Sequence, residues 1–330
     1  MRLLVLGGTR WLGREVVSAA LTAGDEVVCL ARGTAATVPE GARLVVADRT
    51  AGTSAYDGLD GRFDAVIDLA THPGHVRGAV AALADRCERY LYVSSGSVYA
   101  DTSRAGATVD AETLPPLAAD TMGSLEEYGS AKVACEQAVL ATFGAGRSLV
   151  ARAGLIGGPG DASGRTTYWP WRFAHPASAD GTVLVPDVPG LMTQVVDARD
   201  LATWLVESAR LGRTGTVNAT GDTVPLEEHL RTAREVAGHD GPLAAVPPAW
   251  LEEREVQPWA GPRSLPLWLP LPEYAGFGDR DASGARGLGL VPRPLAETLA
   301  DGLAWQESVG APAGAGLTDE EERSFLAELP

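Results

Sequence analysis

The stretch Leu3-Leu4-Val5-Leu6-Gly7-Gly8-Thr9-Arg10-Trp11-Leu12-Gly13 runs a short apolar strand into a glycine-rich turn and on into a helix. The helix is read from Leu12, Val16, Val17, Ala20 and Leu21, which share one face at a 3.6-residue period, with Gly24 just past its end as a closing residue. A second apolar run begins at Glu26. In such a strand–turn–helix–strand unit Gly7 permits the tight turn, and Gly13 lets helix and strand pack closely. The unpaired N–H groups and dipole of the helix N-terminus then face an anion, and a dinucleotide pyrophosphate is the ligand this turn fits. Thr9, Arg10, Trp11 and Leu12 complete the candidate cofactor turn.

Moving outward, further apolar runs occur at Leu44–Ala47, Ala65–Leu69, Tyr90–Ser94 and Leu149–Ala153, with helical stretches between them. The runs are nearly continuous rather than alternating, as suits strands buried on both faces of a parallel sheet. The pattern implies an α/β fold, a Rossmann-type doubly wound parallel sheet, with a smaller, mixed C-terminal substrate lobe. It breaks near Gly157, where the segment Gly157–Met192 is rich in Gly, Pro and Trp and shows no clear helix. We expect the dinucleotide-binding domain to comprise 1–156 and 194–222, with Val195–Val196, a helix through Leu201–Arg210 and a strand at Thr216–Ala219 returning to it. The substrate-binding lobe comprises 157–193 and 223–308. Residues 309–330 read as a linker and a short acidic helix opened by Thr318 and Glu321, spaced as a capping box.

The chain has 330 residues, of which 45% are hydrophobic, enough for a large core. Its formal net charge of -16 disfavours nucleic acid and anionic membranes as partners. No apolar run reaches the length of a membrane span, about 18 residues. Cys29, Cys87 and Cys135 are scattered and read as buried apolar residues, so the protein is expected in the cytoplasm with free thiols. His72 and His75 lack a third ligand, and no metal is expected.

Of the 27 basic side chains, one alone is a lysine, Lys132, four residues after Tyr128. That spacing puts both on one face of a helix, expected to start at Ser124 with Glu127 completing its cap. A tyrosine, with an ordinary pKa of about 10, is a poor base at neutral pH, and a nearby ammonium favours its phenolate. Arginine, planar and bulky, does not substitute as a compact point charge. Such a pair suits hydride chemistry at a carbonyl, where an alkoxide must be protonated. A hydroxyl to hold the substrate oxygen is offered by Ser95, with Ser94 and Ser97 as alternates, at the end of the strand in Tyr92–Tyr99.

Two departures bear on the cofactor. Arg10 replaces the middle glycine of the dinucleotide pattern, and the second strand ends Leu30-Ala31-Arg32 without the acid that accepts from a free ribose 2′-hydroxyl. Arginines at these places suit a 2′-phosphate, so NADP(H) is preferred and NAD(H) is the alternative. The competing reading makes Arg10 and Arg32 solvated surface charges. Asp48, ending the third strand, is the place for an adenine contact or for plain strand-end solvation.

The GGTRWLG turn, Asp48, Asp68-Leu69-Ala70, SSGSVY, YGSAK, Arg152 with Gly157–Asp161, Val196–Asp200 and Leu288–Pro294 together resemble the extended short-chain dehydrogenase/reductase family, also called the NAD-dependent epimerase/dehydratase family, over about residues 1–305. The resemblance implies a catalytic triad of Ser95, Tyr128 and Lys132, cofactor contacts at Leu69 and Ala70, and a homodimer through the Tyr128 helix. The GGTRxxG variant also resembles an atypical branch containing chloroplast stem-loop-binding proteins. Sugar-nucleotide members carry an asparagine where this chain has Gly154-Leu155-Ile156-Gly157, and an arginine where it has Met192-Thr193-Gln194. The expected activity is therefore NAD(P)-dependent reduction of a carbonyl or C=N group on a small metabolite. An NAD-dependent sugar-nucleotide epimerase or dehydratase and a non-catalytic cofactor-sensing or RNA-binding module are the alternatives. Ser97, Trp169, Trp171 and Arg172 are the candidate substrate contacts, together with Tyr168 and Trp268, since aromatic side chains suit a ring-bearing substrate. Arg165 or Arg172 could replace the missing arginine.

Overall fold

The structure, a computed structural model, describes residues 1–34 and 37–329. In chain order its strands are β1 (Arg2–Leu6), β2 (Glu26–Ala31), β3 (Arg43–Val46), β4 (Phe63–Asp68), β5 (Cys87–Ser95), β6 (Ser148–Ala153), β7 (Leu155–Gly157), β8 (Val183–Pro186), β9 (Met192–Asp197), β10 (Gly215–Ala219), β11 (Thr223–Pro225) and β12 (Leu243–Val246), followed by shorter pairings. The helices are α1 (Trp11–Thr22), α2 (Pro73–Leu83), α3 (Tyr128–Phe143), α4 (Tyr168–Ala174), α5 (Ala198–Leu211), α6 (Leu226–Val236), α7 (Pro248–Glu253), α8 (Ser283–Gly287), α9 (Leu295–Val309) and α10 (Asp319–Leu326).

Seven strands form one parallel sheet in the order β10-β6-β5-β4-β1-β2-β3. All six apolar runs read from the sequence lie in it. Residues 3–6 of β1 and 65–68 of β4 have no solvent exposure because helices cover both faces, which is why these runs are continuous. On one face Val16, Val17 and Ala20 of α1 and Leu201, Trp204 and Leu205 of α5 pack onto the sheet. On the other, Val76 and Val80 of α2 and Cys135 and Val139 of α3 do so. The chain winds outward from β1 through β2 to β3, then returns to β4 on the opposite side. The resulting switch point, between the carboxyl ends of β1 and β4, is where ligands bind in such sheets.

Strand β9 forms a three-stranded sheet with β7 and β11, while β10 joins the main sheet as its edge. Two expectations need correcting. The segment after Gly157 does contain a helix, α4. Its seven residues are buried at Tyr168, Trp169, Pro170, Arg172 and Phe173, all round the short cylinder, so it shows no amphipathic period. The expected capping box at Ser124 does not form. Residues Leu125–Glu127 make a 3-10 turn, the Ser124 side chain caps nothing, and Glu127 accepts from the Gly123 N–H at 2.6 Å.

A second core gathers Tyr168, Trp169, Phe173, Leu184, Leu226, Leu265, Trp268, Leu299 and Phe325. It includes α10, whose capping box between Thr318 and Glu321 is formed. Arg172 on α4 reaches across to this helix, with Nε 2.8 Å from Glu322 and Nη1 2.6 Å from Asp319. Glu322 is fully buried and also accepts from the Leu184 N–H. None of the helices is long and apolar enough to cross a membrane among the described residues.

Candidate active site

A cavity of about 580 Å³ opens at the carboxyl ends of the sheet strands, over the switch point, with the second lobe as its far wall. Gly7, from the end of β1, takes φ +104, a conformation open to glycine. A Cβ on Gly13 would sit 2.1 Å from the Gly7 carbonyl oxygen, so the first turn of α1 presses directly onto the strand-end turn. Arg10 is the exposed N-cap residue of α1, and Trp11 begins the helix. The Trp11 indole donates to the Pro159 carbonyl at 2.7 Å, tying the cofactor turn to the loop after β7. Arg10, Trp11, Leu12 and Gly13 all line the cavity.

Lys132 is 3% exposed. Its ammonium donates to the Val93 carbonyl at 2.8 Å and the Ala70 carbonyl at 2.9 Å, leaving one N–H of three. It lies 4.7 Å from the Tyr92 ring centre and 5.9 Å from that of Tyr128. Tyr128 begins α3, is half-buried and faces the same cavity. Ser95 ends β5, where its hydroxyl accepts from the Ser97 N–H at 3.1 Å and meets the Ser97 hydroxyl at 3.2 Å. Ser94, although at the cavity wall, is committed elsewhere: it donates to Glu136 at 2.5 Å. Glu136 in turn pairs with Arg152 at 2.8 Å, and Arg152 also donates to Tyr99 and the Val109 carbonyl. Burial opposes the Arg152 charge, but Glu136 outweighs it and its pKa lies above the ordinary value. The structure therefore leaves Ser95 and Ser97 at the cavity beside Tyr128 and Lys132.

The Leu69-Ala70 turn that holds Lys132 is itself braced from below. Asp68, fully buried, receives Arg49 bidentately at 2.7 and 2.8 Å, the Tyr90 hydroxyl at 2.6 Å and the Ala70 N–H at 2.9 Å. Burial works against the carboxylate, yet Arg49 and Tyr90 hold its pKa below the usual range. The Ala70 carbonyl is also bonded by Tyr92. The sequence offered no sign that Arg49 belongs to this site.

Arg32 follows β2 as an exposed residue outside the cavity lining, close enough for its charge to act on Asp48. The Asp48 carboxylate is exposed and accepts from the Thr50 N–H at 2.9 Å, capping the turn after β3. His72 and His75 meet edge to face, 5.4 Å between ring centres.

The expected substrate contacts divide. Ser97 lines the cavity, but Trp169, Trp171 and Arg172 do not, nor do Tyr168 and Trp268. Trp169 is fully buried in the second core, donating to the Pro266 carbonyl, Trp171 stacks on His175 at 4.0 Å, and Arg172 serves the Glu322 pair. A cluster of aromatics reads alike in sequence whether it lines a pocket or fills a core. The lobe instead presents Arg165, Met192, Thr193, Gln194, Trp259, Leu267, Leu269, Phe277 and Arg280 to the cavity.

The NAD dependent epimerase/dehydratase family model matches residues 3–216. The 2'-dehydrokanamycin reductase of Streptomyces kanamyceticus is 30% identical over 263 residues, 77% of this chain and 72% of that protein. Among solved structures, UDP-N-acetylglucosamine 4-epimerase from Bacillus cereus superposes with a TM-score of 0.67 at 18% identity, covering 94% of this chain and 98% of that one. The Bordetella bronchiseptica enzyme WbmH, solved in complex with NAD+, gives a TM-score of 0.67 at 16% identity over 94% of this chain and 99% of its own.

Proposed function

The chain belongs to the NAD dependent epimerase/dehydratase family, and from that premise we propose that it is an NADP(H)-dependent reductase of a carbonyl or C=N group on a small metabolite. The observation that carries the reading is the clamped ammonium of Lys132 beside Tyr128 at the cavity wall, with Ser95 at the neighbouring strand end. The close approach of Gly13 to the Gly7 carbonyl sets the N-terminus of α1 against the strand-end turn, and its free N–H groups suit a pyrophosphate. Bound nicotinamide would supply the hydride. Lys132, with its spare N–H, would hold the nicotinamide ribose beside Tyr128. Ser95 would hold the substrate oxygen or nitrogen, and Tyr128 would deliver the proton that completes the alcohol or amine.

Arg10 and Arg32 at the adenosine end support NADP(H) over NAD(H). The reductase relative supports reduction as the net reaction. The three free, buried cysteines suit the cytoplasm, and the acidic composition suits small-molecule partners over nucleic acid. A test is direct: purified protein is supplied with NADPH or NADH and a panel of ketones and imines. The reading expects loss of NADPH absorbance with matching alcohol or amine formation, and slower turnover with NADH. Retention of tightly bound NAD through purification, with interconversion of UDP-sugars and no net NADPH use, would replace it with the epimerase reading that the neighbours' folds favour.

A further inference from the structure

Among the described residues four arginines are buried: Arg49, Arg152, Arg172 and Arg280. Three have a buried carboxylate partner, in Asp68, Glu136 and Glu322. Arg280, 3% exposed, has no carboxylate within ion-pair distance among the described residues. Its Nε has no hydrogen-bond partner, and its two terminal nitrogens reach only the Asp101 carbonyl, at 3.4 and 3.5 Å. The guanidinium rests over the Tyr99 ring, 4.5 Å from its centre. Asp101 and Asp279 act on it through space, but Asp101 is engaged by Ser103 and Asp279 by Thr223. A buried cation without a partner is costly, and proteins retain one where a ligand completes it.

Arg280 faces the active-site cavity. Its main chain is locked there from both sides by Gln194, which accepts from the Arg280 N–H at 2.8 Å and donates to the Arg280 carbonyl at 2.9 Å. In the same cavity lining, Arg165 is also without an ion pair among the described residues: its Nε donates to Ser163 at 3.1 Å, its guanidinium lies 5.3 Å from the Trp259 ring centre, and Tyr128 is within its electrostatic reach. The nearby Asp161 spends both oxygens on Ser163 and Thr166. Although the chain carries 43 acidic residues, no Asp or Glu lines this cavity among the described residues, whereas Arg10, Lys132, Arg152, Arg165 and Arg280 do. Met192, Leu267, Leu269 and Phe277 give the same cavity apolar lining.

We propose that the substrate is an amphipathic anion: its carboxylate or phosphate is held by Arg280 and Arg165, while its apolar body lies against the leucines and Phe277. The proposal rests on reading this cavity as the substrate site. It weighs against cationic substrates, which Arg280 and Arg165, the two lining arginines not paired with a carboxylate or given to the cofactor, would repel.

The test measures binding before turnover. Calorimetric titration of the protein, with and without NADPH, would use an aryl-alkyl keto acid, its phosphonate analogue, its methyl ester, an amine counterpart of matched size, and UDP. We expect the acid or phosphonate to bind at least about tenfold more tightly than the ester, as befits a charge-assisted bidentate contact, and the amine not to bind. Arg280→Leu should abolish that preference, Arg280→Lys should keep part of it, and Arg165→Gln should weaken it. Arg280→Leu should also melt no lower than the parent without ligand, because it removes an unpaired buried charge. Acid and ester binding equally, or Arg280→Leu melting well below the parent, would overturn the proposal. UDP bound far more tightly than either acid would identify a nucleotide diphosphate as the source of the anion. Tight acid binding without any NADPH consumption across the panel would leave the anion subsite standing and reject the reductase reading instead.

Discussion

Gly129 lies so close to Ser97 that a methyl group on it would sit 2.2 Å from the Ser97 carbonyl oxygen. This contact brings the start of α3, which carries Tyr128, onto the turn after β5, which carries Ser95. Both sides of the approach are backbone, so neither has a flexible side chain to yield. Gly129→Ala should therefore separate the tyrosine from the serine turn. We expect kcat to fall at least about tenfold, since a displacement of about 1 Å costs that much or more, while the NADPH dissociation constant stays within about twofold. Unchanged kcat would show that the two elements need not touch.

Asp68 should matter twice, to stability and to the site. Its removal leaves the buried Arg49 without its carboxylate partner, and Asp68→Ala should destabilise the fold by roughly 3–5 kcal/mol. It also frees the Ala70 turn that holds Lys132. Measured well below its melting temperature, the variant should show weakened NADPH binding in addition to the lower midpoint in urea. A variant that loses stability alone would confine the Asp68–Arg49 pair to a structural part.

His229 provides a pH signature. It is fully buried, and burial lowers its pKa from 6.5 to about 4. Below pH 6.5 the unfolded chain takes up a proton there while the folded protein does not, so stability is lost as pH falls from 6.5 toward 4. The limiting slope for this one group is roughly 1.4 kcal/mol per pH unit. The melting temperature should fall more steeply over that window in the parent than in His229→Leu. Parallel curves would contradict the assignment.

Cofactor choice should depend on Arg10 and Arg32. Replacing both by Ala should raise the NADPH dissociation constant about tenfold or more and leave that for NADH nearly unchanged, as each charge-assisted contact to a phosphate is worth roughly 1.5–3 kcal/mol. Equal effects on the two nucleotides would make both arginines solvated charges. Isothermal titration decides between these outcomes.

The sheet was legible because strands covered on both faces demand continuous apolar runs, as at Leu3–Leu6 and Ala65–Ile67. Tyr128 and Lys132 stood out because the chain has a single lysine and helical geometry joins residues four apart. The substrate side was not legible, for reasons of distance and packing. Gln194 and Arg280 meet across 86 positions with no local pattern to link them. Trp169 and Arg172 read like pocket residues, yet α4 is short enough to be buried all round, and its arginine answers Glu322 on a helix far along the chain. At Ser124 the capping spacing was present, but a 3-10 turn intervenes before α3 and Glu127 turns to Gly123.

In the proposed reaction Tyr128 moves the proton while Lys132 and the glycine turn hold the nucleotide. Calorimetry paired with steady-state kinetics on Tyr128→Phe, a change that removes one oxygen atom from the cavity wall, separates these roles. We expect an NADPH dissociation constant within about twofold of the parent and a kcat lower by about 10²-fold or more, the range expected for a lost general acid. A variant that binds NADPH and still turns over at the parental rate would contradict it.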